Sequence, residues 1–266
     1  MSVAKDRFVD GPSGRTHYLE LGTGAPLVLL HGAGNSAYEF EHVMSSLAQN
    51  FRVIGWDMPG HGDSAALTRD LTISDYADTL AAMIRGLELR RPHLVGTSVG
   101  ALIAAAWANT RSANAASLSL VEMPVRPAVA WSRMWPLVET LFSIPTQTFE
   151  QVKPRFRDLS DHDFRRWNLD RNKAGSKTMM SVMRAIRDHV PDFHAICVPV
   201  LLVYGERGPV ADCIEDTRAA LPAAESVTLR GCGHFPMIDD PVAFADLIGT
   251  FAMKHEYALA RGDQLS

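Results

Sequence analysis

The segment His93–Gly100 constrains the fold of this chain most, because a short apolar run leads into Gly-Thr-Ser-Val-Gly and then into an alanine-rich, helix-forming stretch. A strand, a sharp turn and a helix form the context that a G-x-S-x-G nucleophile turn requires. At such a turn the strand and the helix nearly touch, so side chains at Gly96 and Gly100 would collide. The strained turn raises Ser98 above the sheet, beside the N–H groups of the helix N-terminus. The pattern predicts that Ser98 is a nucleophile.

Length and composition narrow the class of protein. A chain of 266 residues with 47% hydrophobic residues predicts one α/β domain with a large core. The net charge of −4 argues against binding to nucleic acid and against a polybasic membrane anchor. No apolar run is long enough for a membrane-spanning helix, and the N-terminus lacks the apolar region of a secretory signal. The three cysteines show no disulfide framework, which indicates a reducing compartment and a cytoplasmic location.

Strand-like and helix-like segments alternate along the chain. Continuous apolar runs predict strands buried on both faces, and the turn at residues 10–14 predicts an N-terminal hairpin. This alternation predicts a mostly parallel sheet with helices on both faces. The predicted strands cover residues 26–30, 51–56, 93–95, 117–121, 198–204 and 226–229, and the predicted helices residues 37–49, 74–89, 99–109, 212–221 and 241–254.

The segment of residues 125–195 has a different sequence pattern, which is typical of helices and contains no run typical of a buried strand. We interpret it as a helical cap over a core formed by residues 1–124 and 196–266. Side chains of such a cap are candidates for substrate binding, although tryptophans can equally pack a cap onto its core and helical apolar stripes more often form a core. The substrate-binding candidates are Trp131, Trp135, Trp167, Met134, Leu137 and Met183, with Phe142 as a further apolar residue.

The remaining catalytic groups are expected at the carboxyl ends of the strands, where open α/β sheets bind ligands. A serine needs a base, and His234 is the best candidate because it follows the last strand and precedes the closing helix. An oxyanion hole needs two N–H donors. We expect one from Val99 and the other from the loop after the 26–30 strand, from Ala33 or alternatively Gly32. His31 and His61 stand in glycine-rich loops, and we expect both to tie loop backbone together.

Four motifs together resemble the α/β-hydrolase family. They are His31-Gly-Ala-Gly34, Asp57-Met-Pro-Gly-His-Gly-Asp-Ser64, Gly96-Thr-Ser-Val-Gly100 and Gly231-Cys-Gly-His-Phe-Pro236. The resemblance covers nearly the whole chain outside residues 125–195. It implies an α/β-hydrolase fold, a triad of serine, acid and histidine in that chain order, and no cofactor. The spacing of His, Cys and carboxylate residues does not predict a metal site.

The acid of the triad is where the sequence departs from the family. The family pattern Gly-x-x-Asp is replaced by Gly-Glu-Arg-Gly at residues 205–208. We favour Glu122, which ends the strand after the nucleophile strand, because a few hydrolases of this fold carry their acid there. Asp212 and Glu206 are the alternatives, although Asp212 resembles a helix N-cap and Glu206 can face solvent. Glu122 itself could instead be a structural carboxylate that pairs with Arg126.

A weaker resemblance concerns the substrate. Val121-Glu-Met-Pro124, Asp57-Met-Pro-Gly60 and His234-Phe-Pro236 are similar to the zearalenone lactonases, which carry a glutamate acid at this strand and open a macrocyclic resorcylic lactone. We therefore predict a serine hydrolase that cleaves a small-molecule ester or lactone through Ser98, His234 and Glu122. The alternatives are a ligand receptor, as the strigolactone and karrikin receptors are on this fold, and a cofactor-free oxygenase. The sequence leaves a monomer and a homodimer open.

Overall fold

A computed structural model describes residues 3–111 and 114–262 of the chain. In this part, eight strands form one sheet in the order β1-β2-β4-β3-β5-β6-β7-β8. β1 and β2 form the predicted antiparallel hairpin, β2 pairs antiparallel with β4, and the later pairs are parallel. The strands are β1 (Lys5–Gly11), β2 (Gly14–Leu21), β3 (Ala25–Leu30), β4 (Phe51–Trp56), β5 (His93–Thr97), β6 (Ser117–Val121), β7 (Val200–Gly205) and β8 (Glu225–Leu229).

Helices connect the parallel strands and cover both faces of the sheet. They are α1 (Glu41–Leu47), α2 (Ile73–Gly86), α3 (Val99–Arg111), α4 (Ala128–Phe142), α5 (Phe149–Val152), α6 (Asp161–Asp188), α7 (Ile214–Ala220), α8 (Pro236–Asp239) and α9 (Pro241–Gly262), with short 3-10 helices at Ala37–Phe40, Lys153–Arg155 and Ala211–Cys213. No helix in the described ranges has the length and apolar character needed to span a membrane.

The central strands are apolar on both faces because each face packs against helices. In β3, Val28 and Leu30 belong to one buried cluster, whereas Leu27 and Leu29 belong to the other. This alternation follows from the two-residue period of a strand. β5, β6 and β7 are buried along their whole length. The predicted fold class, a mostly parallel sheet with helices on both faces, is confirmed.

Two helix starts differ from the sequence expectation. α2 begins at Ile73, one residue before the predicted start, and Thr72 caps it, because its side chain accepts the N–H of Asp75 while the Asp75 carboxylate accepts the N–H of Thr72. This reciprocal pair is a capping box. The expectation that Asp212 caps the helix after β7 is also wrong, since no side chain caps α7 and the Asp212 carboxylate pairs with Arg126.

The segment of residues 125–195, called the insertion below, lies between β6 and β7 and contains α4, α5 and α6. α6 is interrupted at Gly175, whose φ of 72° is not helical. The insertion contacts the loops at the carboxyl edge of the sheet. The carbonyl oxygen of Arg155 accepts the N–H of His234, and Asp170 accepts the hydroxyl of Ser36. These contacts place the insertion beside the predicted catalytic loops. Its division from the core as a cap stays a prediction.

Candidate active site

Ser98 lies at a sharp turn between β5 and α3. Its φ of 55° is in the left-handed region, which costs free energy for a residue with a side chain. A Cβ atom on Gly96 would lie 2.5 Å from the nitrogen of Ala101, and one on Gly100 would lie 2.7 Å from the carbonyl carbon of Leu30. Both flanking glycines are therefore required sterically, as the sequence predicts for this turn.

Glu122 follows β6 and has no solvent exposure. Its Oε2 lies 3.0 Å from Nδ1 of His234, and its Oε1 accepts the N–H of Gly205 at 2.8 Å. When Nδ1 of His234 carries the proton that it donates to Glu122, Nε2 is the acceptor nitrogen of the ring. Glu122 also has a positive φ, 49°. The arrangement can orient an imidazole and stabilise its positive charge.

His234 is held by the backbone of its loop. Its N–H donates to the carbonyl oxygen of Arg155 at 2.9 Å, and its side chain is 14% exposed. The neighbouring N–H of Gly233 donates to the buried carboxylate of Asp239 at 2.6 Å. Burial raises the pKa of Asp239, while the hydrogen bond from Gly233 opposes that rise. These contacts fix the loop that presents the imidazole.

The structure explains why residue 208 is a glycine. A Cβ atom there would lie 2.5 Å from Cδ of Glu122 and closer still to both carboxylate oxygens. The Glu122 carboxylate therefore occupies the space beside residue 208, where the family pattern places its aspartate. The other two acid candidates are engaged elsewhere. Oδ1 of Asp212 lies 2.5 Å from Arg126, and Oε2 of Glu206 accepts the N–H of Gly231 at 2.8 Å. Arg126 thus pairs with Asp212 instead of Glu122.

The loop after β3 lies against the serine. A Cβ atom on Gly32 would lie 3.7 Å from Cβ of Ser98. The N–H of Gly32 donates to Oε2 of Glu39 at 3.0 Å, which engages that candidate oxyanion donor within the protein. Ala33 is the next residue along the same loop and is half-buried, and Val99 begins α3 directly after the serine. Of the two loop candidates, Gly32 is therefore the less available, and the roles of Ala33 and Val99 as donors stay predictions.

His31 and His61 have the predicted role in the loops. Nδ1 of His31 donates to the carbonyl oxygen of Gly32 at 2.7 Å, and its Nε2 accepts the N–H of Met58 at 3.0 Å. Nδ1 of His61 lies 3.3 Å from the carbonyl oxygen of Pro59. Burial lowers the pKa of both rings, that of His61 to about 3. Neutral imidazoles therefore tie the loops together.

Glu39 is a buried residue of the site that the sequence reasoning missed. Its Oε2 accepts both the N–H of Gly32 and the side-chain amide of Asn35, the latter at 2.5 Å. Burial raises the pKa of this carboxyl to about 7, although these hydrogen bonds oppose the rise. The sequence shows an acidic residue at position 39, but it does not show that this residue binds the N–H of Gly32, seven residues away across a loop.

The predicted substrate-binding residues lie in different environments. The ring centroid of Trp167 is 5.6 Å from that of Phe235, which in turn is 4.8 Å from that of His234. Trp131 and Met183 are buried in the apolar cluster on one face of the sheet. Met134 is half-buried, Trp135 lies under the guanidinium of Arg187 at 4.3 Å, and Leu137 is 57% exposed. The structure brings Trp167 to the His234 loop and places Leu137 at the surface.

Two clusters of potential metal ligands lie outside this site among the described residues. They are His17, Asp57 and Asp63, and Glu41, His42 and Asp163. In the first, Oδ2 of Asp57 accepts from His17 at 2.7 Å and from the N–H of Asp63 at 2.8 Å. In the second, His42 lies 2.8 Å from Asp163. Neither cluster includes Ser98, His234 or Glu122.

Known proteins resemble the chain in sequence. The sequence profile of the Alpha/beta hydrolase family matches residues 27–247. The (E)-2-((N-methylformamido)methylene)succinate hydrolase of Acinetobacter baylyi is 40% identical over 95 residues, which span 36% of this chain and 36% of that protein. The 2-hydroxy-6-oxo-6-(2'-aminophenyl)hexa-2,4-dienoic acid hydrolase of Metapseudomonas resinovorans is 26% identical, over 94% of this chain and 91% of its own length.

A solved structure resembles the fold over almost the whole chain. A thermophilic esterase from Thermogutta terrifontis matches with a TM-score of 0.80 and 21% identity, covering 95% of this chain and 99% of that one. This likeness supports the α/β-hydrolase fold, and the relatives support hydrolytic activity. Because the profile matches most of the chain, the resemblance to the α/β-hydrolase family is confirmed, and the chain belongs to the Alpha/beta hydrolase family.

Proposed function

We propose that this chain is a serine hydrolase of carboxylic esters or lactones, with Ser98 as nucleophile, His234 as base and Glu122 as acid. One observation carries the proposal. The buried Glu122 carboxylate lies 3.0 Å from Nδ1 of His234. Glu122 follows β6, and Ser98 follows the adjacent parallel strand β5, so both lie at the carboxyl ends of the strands. Ser98 is also linked to the Glu122 strand directly, because its N–H donates to the carbonyl oxygen of Val121 at 2.8 Å.

In the first half-reaction, Oγ of Ser98 attacks the carbonyl carbon while Nε2 of His234 takes the hydroxyl proton. Glu122 holds the ring through Nδ1 and stabilises the imidazolium that forms. The N–H groups of Ala33 and Val99 stabilise the negative charge on the carbonyl oxygen. The tetrahedral intermediate then collapses, His234 returns the proton to the leaving alkoxide, and an acyl group remains on Ser98.

In the second half-reaction, Nε2 of His234 takes a proton from water, and the hydroxide attacks the acyl carbon. The ester bond to Ser98 breaks, and His234 protonates the serine oxygen. A carboxylic acid leaves and the free enzyme is restored. This sequence uses the same oxyanion donors twice and needs no cofactor.

The proposed substrate is a small molecule with an ester or lactone carbonyl, and the position of Glu122 keeps a macrocyclic resorcylic lactone among the candidates. The name of another relative supports ester chemistry: the pimeloyl-[acyl-carrier protein] methyl ester esterase of Vibrio vulnificus is 26% identical over 90% of this chain. We further propose that the insertion acts as a cap over the site and that the enzyme works in the cytoplasm.

The test is acid release from aryl esters and from small and macrocyclic lactones, with wild type beside Ser98→Ala. We expect the variant to lose at least about 10³-fold in kcat/KM. Ser46→Ala is the matched control, because Ser46 is exposed on α1, and it should retain full turnover. Ligand binding without turnover in the wild type would favour a receptor. Retained acid release in Ser98→Ala would overturn the acyl-enzyme and favour direct attack of a water molecule activated by His234, whereas oxygen consumption without acid release would favour a cofactor-free oxygenase.

A further inference from the structure

Two arginines of the insertion lie beside the same aromatic ring. The guanidinium carbon of Arg155 is 5.4 Å from the ring centroid of Trp167, and that of Arg171 is 5.3 Å from the same centroid. Arg171 is only 1% exposed. Both guanidinium groups therefore place positive charge beside the Trp167 ring of the insertion.

This pair lies beside both predicted catalytic loops. The carbonyl oxygen of Arg155 accepts the N–H of His234. Nη1 of Arg171 is 3.3 Å from the position that a Cβ atom of Gly34 would occupy, one residue after Ala33. Trp167 contacts the ring of Phe235, which directly follows His234. The arginine pair thus borders the region between the oxyanion loop and the histidine loop.

The positive charge of the pair has no acidic partner in the described part of the chain. Nη1 of Arg155 donates to the carbonyl oxygen of Gln151 at 2.7 Å. Arg171 uses Nε and Nη2 for the carbonyl oxygens of Leu141, Ile144 and Pro145. Within the described ranges, Nε and Nη2 of Arg155 and Nη1 of Arg171 have no protein acceptor.

Nearby carboxylates are engaged with other groups. Asp170 pairs with Arg166 at 2.8 Å and accepts the hydroxyl of Ser36. Glu39 is bound by Gly32 and Asn35. Burial lowers the pKa of Arg155, and burial with repulsion from Arg155 lowers that of Arg171 to about 10. Guanidinium groups stay protonated in proteins at neutral pH. Arg171 is a buried cation without a counter-ion, which is costly, and a bound anion would relieve that cost.

We propose that Arg155 and Arg171 bind a carboxylate group of the substrate, so that the enzyme prefers esters or lactones that carry a free carboxylate near the scissile carbonyl. The inference rests on the proposed function and narrows its substrate class. Guanidinium N–H groups match the planar geometry of a carboxylate, and such charge-assisted hydrogen bonds are shorter and stronger than neutral ones. The hydrogen bonds from the Arg171 guanidinium to backbone carbonyl oxygens hold its side chain in place for this role.

The test compares two esters with the same leaving group: the 4-nitrophenyl monoester of glutaric acid, which carries a carboxylate, and the neutral 4-nitrophenyl valerate. We expect the wild type to favour the charged ester in kcat/KM by about tenfold or more. Arg155→Gln should reduce this ratio about tenfold, chiefly through KM of the charged ester. Arg171→Lys, which keeps a positive charge but loses the guanidinium fork, should reduce the ratio less.

Arg187→Gln is the matched control, because Arg187 also lies over a tryptophan of the insertion, Trp135, but pairs with Asp188. It should leave the ratio unchanged. Equal losses on both esters in Arg155→Gln, or a wild type with no preference for the charged ester, would overturn the carboxylate site. Calorimetry of glutarate binding to Ser98→Ala separates the two proposals. If Arg155→Gln abolishes glutarate binding but the wild type turns over neither ester, serine hydrolysis is rejected and the anion site is kept.

Discussion

The substitution Gly208→Ala tests the placement of the acid without replacing any of the three proposed catalytic residues. The added Cβ atom would lie 2.5 Å from Cδ of Glu122. Carbon atoms in ordinary contact are about 3.5–4.0 Å apart, so the carboxylate or the 205–208 loop must move by about 1 Å. A movement of that size breaks the 3.0 Å contact with His234 or the hydrogen bond from Gly205.

The expected losses follow from that displacement. Overpacking in a well-packed interior costs about 1–3 kcal/mol, which urea denaturation would measure as a lower free energy of unfolding. A misplacement of about 1 Å in a catalytic group lowers turnover on the order of 10²-fold. We expect the kinetic loss mainly in kcat, because the displaced carboxylate no longer orients His234 in the transition state.

Gly249→Ala is the matched control. Gly249 lies in α9, and its Cβ atom would meet only Leu47, at 3.9 Å. This variant should keep full activity and gain up to about 1 kcal/mol from helix propensity. In a Glu122→Ala background the steric conflict at residue 208 disappears, so Gly208→Ala should be nearly neutral there. Full activity and stability in Gly208→Ala, or an equal destabilisation in both backgrounds, would refute the reasoning.

Three further predictions concern charge and capping. Glu39→Gln removes a carboxyl whose pKa rises from 4.5 to about 7 on folding. The stability that protonation contributes, up to about 3 kcal/mol, is present below pH 4.5 and lost as the pH rises through 7, so the variant should gain stability relative to wild type between pH 5 and pH 8 in urea titrations. A pH-independent difference would contradict this. Asp212→Asn breaks the ion pair between the exposed Asp212 carboxylate and Arg126 and should change kcat/KM less than twofold, whereas a loss as large as that of Glu122→Gln would make Asp212 the acid. Thr72→Ala removes the capping box of α2 and should lower the free energy of unfolding by about 1 kcal/mol with unchanged turnover, and an unchanged urea midpoint would contradict the assigned cap.

The features that sequence reasoning predicted are those encoded locally. The buried strands are continuous apolar runs, and the turn at Ser98 is marked by glycines two residues to either side. The order of motifs then places Ser98, Glu122 and His234 at one edge of the sheet. Position 208 was informative as well, because a glycine where an aspartate is expected indicates that another carboxylate is needed.

The remaining features depend on contacts between distant residues. Glu39 lies in a helical segment, and only the fold shows that it accepts the N–H of Gly32. Arg155 and Arg171 belong to a segment with many charged residues, so the sequence alone does not indicate that these two lie beside Trp167. Leu137 is 57% exposed, because an apolar residue of an amphipathic helix need not be buried, and its role in substrate binding stays a prediction.

Covalent labelling with a fluorophosphonate tests the central claim most directly. Its rate and position should be measured by intact-mass and peptide mass spectrometry in wild type, Glu122→Gln and Asp212→Asn. Our account predicts one adduct per chain, on Ser98, formed at least about 10²-fold more slowly in Glu122→Gln and at the wild-type rate in Asp212→Asn. An adduct on another residue, or labelling of Glu122→Gln at the wild-type rate, would contradict the assignment of Ser98, His234 and Glu122.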